Sequence, residues 1–429
     1  MRNATPPNHR SFLRSMQVLL TVVLLIKLAG FFTWSDSVVF TQIFKTISRV
    51  GMTMAAYALY RRVLHRGAVG SFRWQHSLAP LFYGAYLLLG AASVMWSTAP
   101  GYSLLQLLMD VESFVFAYYF VKCFLLLNTF FPGSNLRLHR VLATAAWILI
   151  VGFLVGMVVA PDVFYRFTHG GEEARLGGFL MNPNELGMLC GVCVACLLPD
   201  LLRRHQSLLT VLKILPVVYA LVLTGSRSSL IGLLLVALFY LWNSGNARLR
   251  LAGIAAVLLA VPVVVQTVFI KQGGVSEVMS LTGRLPFWEA LLTEGLPQEP
   301  LLGFGFMRIA YTDYFQSTHT YAAQMTHNTF IQVLMNLGLV GFGLVLAQLL
   351  FTLRGFAHTP DRAQRLLFIG LFIPLLINSV TEFGIFGQTN YGILFYQFLI
   401  LLVSLQVNPR LTAPERLFLQ RRRPELAVA

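Results

Sequence analysis

Outside its apolar runs, this sequence offers four residues whose types suit phosphate and proton chemistry: Arg175, Arg227, Arg284 and His327. Arginine stays protonated in proteins, and its planar fork donates two parallel hydrogen bonds to a phosphate. Three such forks brought together would neutralise a diphosphate. His327 stands just before Asn328, where an apolar pattern with helical spacing begins (Ile331, Leu334, Leu337, Val340). A helix N-terminus disfavours an imidazolium, so the ring is expected to be neutral and able to take a proton from a hydroxyl group. Asn328, Ser226 and Asn184 adjoin these residues or their turns and are expected to support them.

Each of these residues also has a plainer reading. Arg227 follows Thr224-Gly225-Ser226 in a tight turn between two apolar runs, where an arginine often snorkels to the interface. Yet no acidic residue is near it in sequence, and a guanidinium next to hydrocarbon is costly unless paired, so an exogenous anion is a natural partner. Arg175 and Arg284 have Glu172, Glu173 or Glu277 as alternative partners. His327 has the alternative of simply capping its helix. A metal is not suggested: the outer connections hold no Asp-x-Asp pair and no His or Cys cluster with ligand spacing. No cofactor is expected either, since there is no Walker-type loop, and Gly303-Phe304-Gly305 lacks the strand context of a nucleotide fingerprint. A Gly-x-Ser-x-Gly elbow is also missing.

The elements that must position these groups are apolar helices. The chain has 429 residues, 56% hydrophobic and 11% charged, with mean hydropathy +0.69. A soluble fold cannot hide that much apolar surface, so an all-α polytopic membrane protein is expected. About twelve spans are expected, at Met16 to Trp34, Val38 to Tyr60, Ser77 to Trp96, Ser103 to Leu127, Val141 to Val159, Glu185 to Leu202, Leu208 to Leu223, Ser228 to Trp242, Leu251 to Ile270, Asn328 to Leu353, Leu366 to Val380, and Tyr391 to Val407. They form a single membrane domain over 1–429, and a helical loop region at 271–326 lies between spans nine and ten. That loop, with Trp288, Phe304, Phe306, Tyr311, Tyr314, Phe315 and Tyr321, is too aromatic for disorder and is expected to form short interfacial helices. The first span follows Arg2, Arg10 and Arg14 without a cleavage site and is expected to be retained. Cys190, Cys193 and Cys196 read as small packing residues rather than metal ligands.

Charge sets the expected orientation. Of the 32 Lys and Arg, 21 fall on one set of alternate connections and the termini. Six, namely Arg166, Arg175, Arg227, Lys271, Arg284 and Arg308, fall on the other, and the remaining five, Lys27, Lys45, Arg49, Lys122 and Lys213, lie within spans. The bias puts both termini in the cytoplasm and accounts for the net charge of +15 without nucleic acid. It also makes the six outer cations anomalous. The outer connections near Asp36, Trp96 to Tyr102 and Glu382 are short and read as poor in chemistry. Inside the spans, Asp110 and Glu112 are expected to pair separately with Lys27, Lys122 or Lys213.

Five pieces, in order and on one side of the membrane, resemble the O-antigen ligase and Wzy-type polymerase superfamily. They are Gly178-Phe179-Leu180-Met181-Asn182-Pro183-Asn184, Thr224-Gly225-Ser226-Arg227-Ser228, Thr282-Gly283-Arg284 with Trp288, Pro300-Leu301-Leu302-Gly303-Phe304-Gly305, and His327-Asn328 with Asn336-Leu337-Gly338-Leu339-Val340-Gly341. They cover about residues 175 to 345. The resemblance implies a glycosyltransferase C-like fold in the bacterial inner membrane with a periplasmic active site. It implies an undecaprenyl-diphosphate-linked glycan as donor and lipid A-core as acceptor, joined by a metal-independent and inverting transfer. Carried onto this chain, Arg227 and Arg284 would bind diphosphate, Arg175 less securely, and His327 would be the general base. Length and the single dominant outer loop favour a ligase over a polymerase. A transporter of lipid-linked glycans is the alternative from another class, since Asn182-Pro183 and Gly225-Ser226 could mark broken helices.

Overall fold

A helix overlaps each of the twelve expected spans, and the last residues of the ninth, 266–270, lie outside the described residues. The computed structural model describes residues 7–65, 70–76, 78–130, 136–168, 173–201, 207–245, 247–265, 284–306, 326–382 and 384–409. The helices are α1 (Pro7–Ala29), α2 (Val38–His65), α3 (Leu78–Ser93), α4 (Pro100–Phe130), α5 (Leu138–Val159), the single turn α6 (Pro161–Phe164), α7 (Pro183–Leu201), α8 (Ser207–Leu223), α9 (Arg227–Trp242) and α10 (Ala247–Val264). They continue with α11 (Arg284–Ala290), which runs into a π-turn (Leu291–Gly295), then α12 (Thr329–His358), α13 (Arg362–Thr381) and α14 (Tyr391–Ser404). Among the described residues, six helices are long and apolar enough to cross a membrane, with shorter apolar helices among the rest. This is a mostly helical polytopic membrane protein. Much of the expected outer loop, including Lys271, Glu277, Thr282, Gly283, Arg308, Tyr311, Tyr314, Phe315, His319 and Tyr321, lies outside the described residues, as do His169, Glu172 and the Arg421-Arg422-Arg423 tail.

The all-α expectation omitted two small antiparallel ribbons. β1 (Gly70–Trp74) pairs with β4 (Leu405–Pro409), and β2 (Tyr165–Thr168) pairs with β3 (Glu173–Leu176). Each has only four or five residues per strand, too short for hydropathy to register. The β1–β4 ribbon ties the α2–α3 connection to the far end of α14, with Gly70 opposite Pro409. The near end of α14, capped by Asn390, faces the opposite end of the bundle. That end also gathers the α1–α2, α8–α9 and α13–α14 connections and the start of α12.

Charges inside the bundle are partnered in a way that helix geometry dictates. Asp110 and Glu112, two positions apart on α4, point to different neighbours. Glu112 accepts from Lys27 Nζ (2.5 and 2.7 Å) and approaches Arg49 Nε (3.6 Å). Asp110, expected to meet a lysine, instead accepts from Tyr83 Oη (2.8 Å) and Gln397 Nε2 (2.7 Å). Neutral donors hold one oxygen of this buried carboxyl group, Oδ1, where the sequence suggested a cation, and Oδ2 has no hydrogen-bond partner.

The segment 284–306 is fixed to the bundle by a break in α12. Gly338 has φ 62° and ψ −164°, interrupting the helical ladder. The exposed backbone groups are taken up by Pro300–Gly305: Phe304 N donates to Met335 O (3.0 Å), Gly305 N to Asn336 O (2.8 Å), and Leu339 N to Pro300 O (2.8 Å). Two motif pieces that looked separate in the sequence are thus one interlocked unit. A Cβ on Gly303 would meet the backbone of Asn336, Leu337 and Gly338 at 2.6 Å. Gly338→Ala must therefore adopt a left-handed backbone and also push Leu301 away. It is expected to lower stability by about 1–3 kcal/mol, read as a lower melting temperature of the purified protein.

Candidate active site

Three separate chain segments meet on one carboxylate, that of Glu382. It is the residue immediately after α13, its N–H bonded to Asn378 O (2.7 Å) and its carbonyl accepting from Thr329 Oγ1 (3.3 Å). Its side chain is 8% exposed. One oxygen, Oε1, accepts from Asn184 Nδ2 (2.6 Å) and from Arg284 (2.8 Å); the other, Oε2, contacts His327 Nδ1 (2.7 Å). Burial alone would raise this carboxyl group, but the hydrogen bond and charge of His327 together with Arg284 outweigh it and hold Glu382 below its ordinary value. The expectation that the Glu382 connection is poor in chemistry is corrected here. A lone glutamate in a short connection gives no periodic or motif signal, and only folding brings it to a histidine 55 positions away.

His327 is held in an uncommon backbone state, with φ 50°. Left-handed backbone at a non-glycine residue costs of order 1–3 kcal/mol and persists where neighbours over-determine it. The neighbours are buried Thr326 and Asn328. Asn328 caps α12, its side chain accepting from Phe330 N (2.9 Å) and Ile331 N (3.1 Å). Thr326 Oγ1 donates to Asn328 O (2.8 Å), and Trp288 Nε1 donates to Thr326 O (2.6 Å). Trp288 comes from α11, the helix that starts with Arg284. Phe287 and Leu291 of this segment bury against Phe304 and Met335, while Leu285 and Leu292 stay exposed. The amphipathic spacing thus docks one short element that positions both the imidazole and its carboxylate partner.

With Nδ1 facing an ionised carboxylate, the proton sits on Nδ1 and the lone pair on Nε2. The helix-terminus position expected for His327 is present. What sequence reasoning missed is the carboxylate partner: Glu382 Oε2 lies 2.7 Å from Nδ1 and favours the tautomer that carries its proton there.

The three arginines differ in placement. Arg284 donates to Glu382 and also to Thr381 O, so it meets His327 at a shared carboxylate. Arg175, on β3, donates to Thr224 O (2.7 Å) and to Asn184 Oδ1 (2.7 Å), one amide removed from Glu382. Arg227 is half-buried at the first position of α9, directly after Ser226. The adjoining hydroxyl groups link this turn to the site: Ser226 Oγ bonds Ser229 Oγ (2.8 Å), which in turn bonds Asn378 Oδ1 (3.3 Å) and Asn184 O (3.4 Å).

A cavity of about 300 Å3 opens beside this network. His327 and Glu382 line it, with Asn182, Glu185, Gln388 and Asn390, and so do Gln106 of α4 and Thr33. Arg175, Arg227 and Arg284 are not among its lining residues; the cations on its wall are Lys45 and Arg49 of α2. Charge counting assigned these two to the interior of a span and saw nothing further in them. A larger cavity, about 650 Å3, lies at the other end of the bundle between α4, α5, α9 and α13 and contains none of these groups.

Residues 212–346 match the family model described as O-antigen ligase. This is the superfamily that the motifs resemble. The O-antigen ligase match takes in Arg227, Arg284, His327 and the interlocked Gly303 and Gly338. Asn184, Glu382 and the α2 cations come from outside it, so the site is assembled from the matched region and its flanks. No curated protein matches the chain.

Proposed function

We propose that this protein is an O-antigen ligase of the bacterial inner membrane, transferring a glycan from undecaprenyl diphosphate to a lipid A-core acceptor at the periplasmic face. The observation that carries the reading is the His327–Glu382 pair beside a cavity, within a chain matching the O-antigen ligase family model. His327 Nε2 takes the proton of the acceptor hydroxyl group as its oxygen attacks the anomeric carbon from the side opposite the diphosphate. The carbon–diphosphate bond breaks, and its electron pair leaves on the phosphate oxygen. Arg227 and Arg284, with Arg175 behind Asn184, supply positive charge for that leaving group. Donors aimed at developing charge are each worth roughly 3–4 kcal/mol in such sites. Backside attack makes the reaction inverting, and neither metal nor other cofactor is required. Both termini are cytoplasmic.

The deciding experiment supplies purified protein, without any membrane gradient, with lipid-linked glycan and either lipid A-core or a second donor molecule. A covalent glycan–lipid A product is expected. Elongated lipid-linked glycan alone would identify a polymerase, and no covalent product in either arm would leave a transporter of the same lipid.

A further inference from the structure

The cations on the cavity wall have no role in the network built around Glu382. Lys45 and Arg49 are one helical turn apart on α2, hence on one face, and both line the cavity that His327 and Glu382 line. Placing two cations on a helix within a membrane bundle is costly, and such residues mark sites for anions unless fully paired. Arg49 is partly accounted for. It donates to Met109 O (3.2 Å), lies over the ring of Phe31 (4.6 Å) and approaches Glu112 (3.6 Å), but that carboxylate already accepts from Lys27 at 2.5 Å. Two cations thus share one carboxylate. Lys45 is the sharper case. Its ammonium donates to the neutral hydroxyl of Thr33 (3.3 Å), and among the described residues no carboxylate lies within 4.0 Å of it. Glu185 borders the same cavity and attracts the ammonium across it, but lies beyond the 4.0 Å of an ion pair. A partly buried ammonium facing a cavity of this size, with room for a diphosphate, calls for an anionic ligand.

We propose that Lys45, backed by Arg49, contacts the diphosphate of the lipid-linked donor inside this cavity. The assignment rests on the glycosyl-transfer reading and adds to it a cationic wall contributed by the N-terminal part of the chain. In the transfer step the electron pair of the broken carbon–oxygen bond is received by a phosphate oxygen facing the Lys45 ammonium, while the acceptor proton goes to His327. Base and leaving-group stabiliser then come from two different walls of one cavity.

The test uses the full chain in lipid nanodiscs and equilibrium binding of undecaprenyl diphosphate, undecaprenyl monophosphate and lipid A. Wild type is expected to prefer the diphosphate. Lys45→Gln should weaken diphosphate binding about tenfold or more, the scale of one lost charge-assisted contact. Lys45→Arg should restore it. A Lys45→Gln variant with a wild-type melting temperature and unchanged diphosphate affinity would overturn the assignment while the transferase reading stood. So would a variant that lost lipid A binding but kept diphosphate. A wild type that binds no diphosphate and yields no glycolipid would remove the transferase reading and this assignment with it.

Discussion

His327→Ala is expected to reduce glycan transfer by about 10²–10⁴-fold, the usual contribution of a positioned general base, while donor affinity stays near wild type. The argument rests on geometry. Nδ1 is committed to Glu382 at 2.7 Å, so the ring presents Nε2 as its acceptor, and no other described histidine borders the cavity. The substitution also removes a strained side chain from a left-handed backbone position. Alanine gains nothing at φ 50°, so stability is expected to change little from that source. The measurements are initial rates of glycolipid formation and a binding isotherm for the lipid diphosphate. A variant that transferred at wild-type rates would mean that the acceptor proton goes elsewhere. A variant that lost both binding and rate in proportion would make His327 a ligand contact rather than a base.

The sequence disclosed what depends on local pattern. Long apolar runs fixed where helices lie, because burying backbone polar groups in hydrocarbon leaves little choice but a helix. The position of His327 before Asn328 was legible because an N-cap has a chemical signature. Contacts between distant segments were not. Gly303 and Gly338 are recognisable as glycines, but that they require each other follows only from a 2.6 Å approach of two backbones. Glu382 was dismissed, and Lys45 and Arg49 were counted as span interior, because a single charged residue carries no information on what faces it. Charge bias sorted cations by side of the membrane, yet it was blind to the two that border the cavity.

Glu382 is the position where one substitution disturbs most. Glu382→Ala deletes the acceptor of Arg284, Asn184 and His327 together. Arg284 is only 18% exposed, and stranding a buried guanidinium typically costs about 3–5 kcal/mol. Such a variant is expected to melt lower and to be inactive, which by itself would not separate folding from chemistry. Glu382→Gln does separate them. The amide keeps the shape and one acceptor, so the fold is expected to survive. It no longer holds the Nδ1 tautomer or stabilises the imidazolium, so the rate should fall by about 10²-fold or more with KM for the acceptor little changed. Acidity gives an independent check. Glu382 is held below the ordinary carboxylate value of 4.5, so its ion pairs remain intact at and above that pH and are lost only as pH falls further, through the lowered folded-state value. Wild-type stability should therefore carry no Glu382 contribution to its pH dependence between 7 and 5, and a Glu382-dependent loss should set in below 4.5 that Glu382→Gln does not share. A Gln variant with wild-type transfer would show that His327 needs no carboxylate partner, and the pairing would then be structural support for α11 alone.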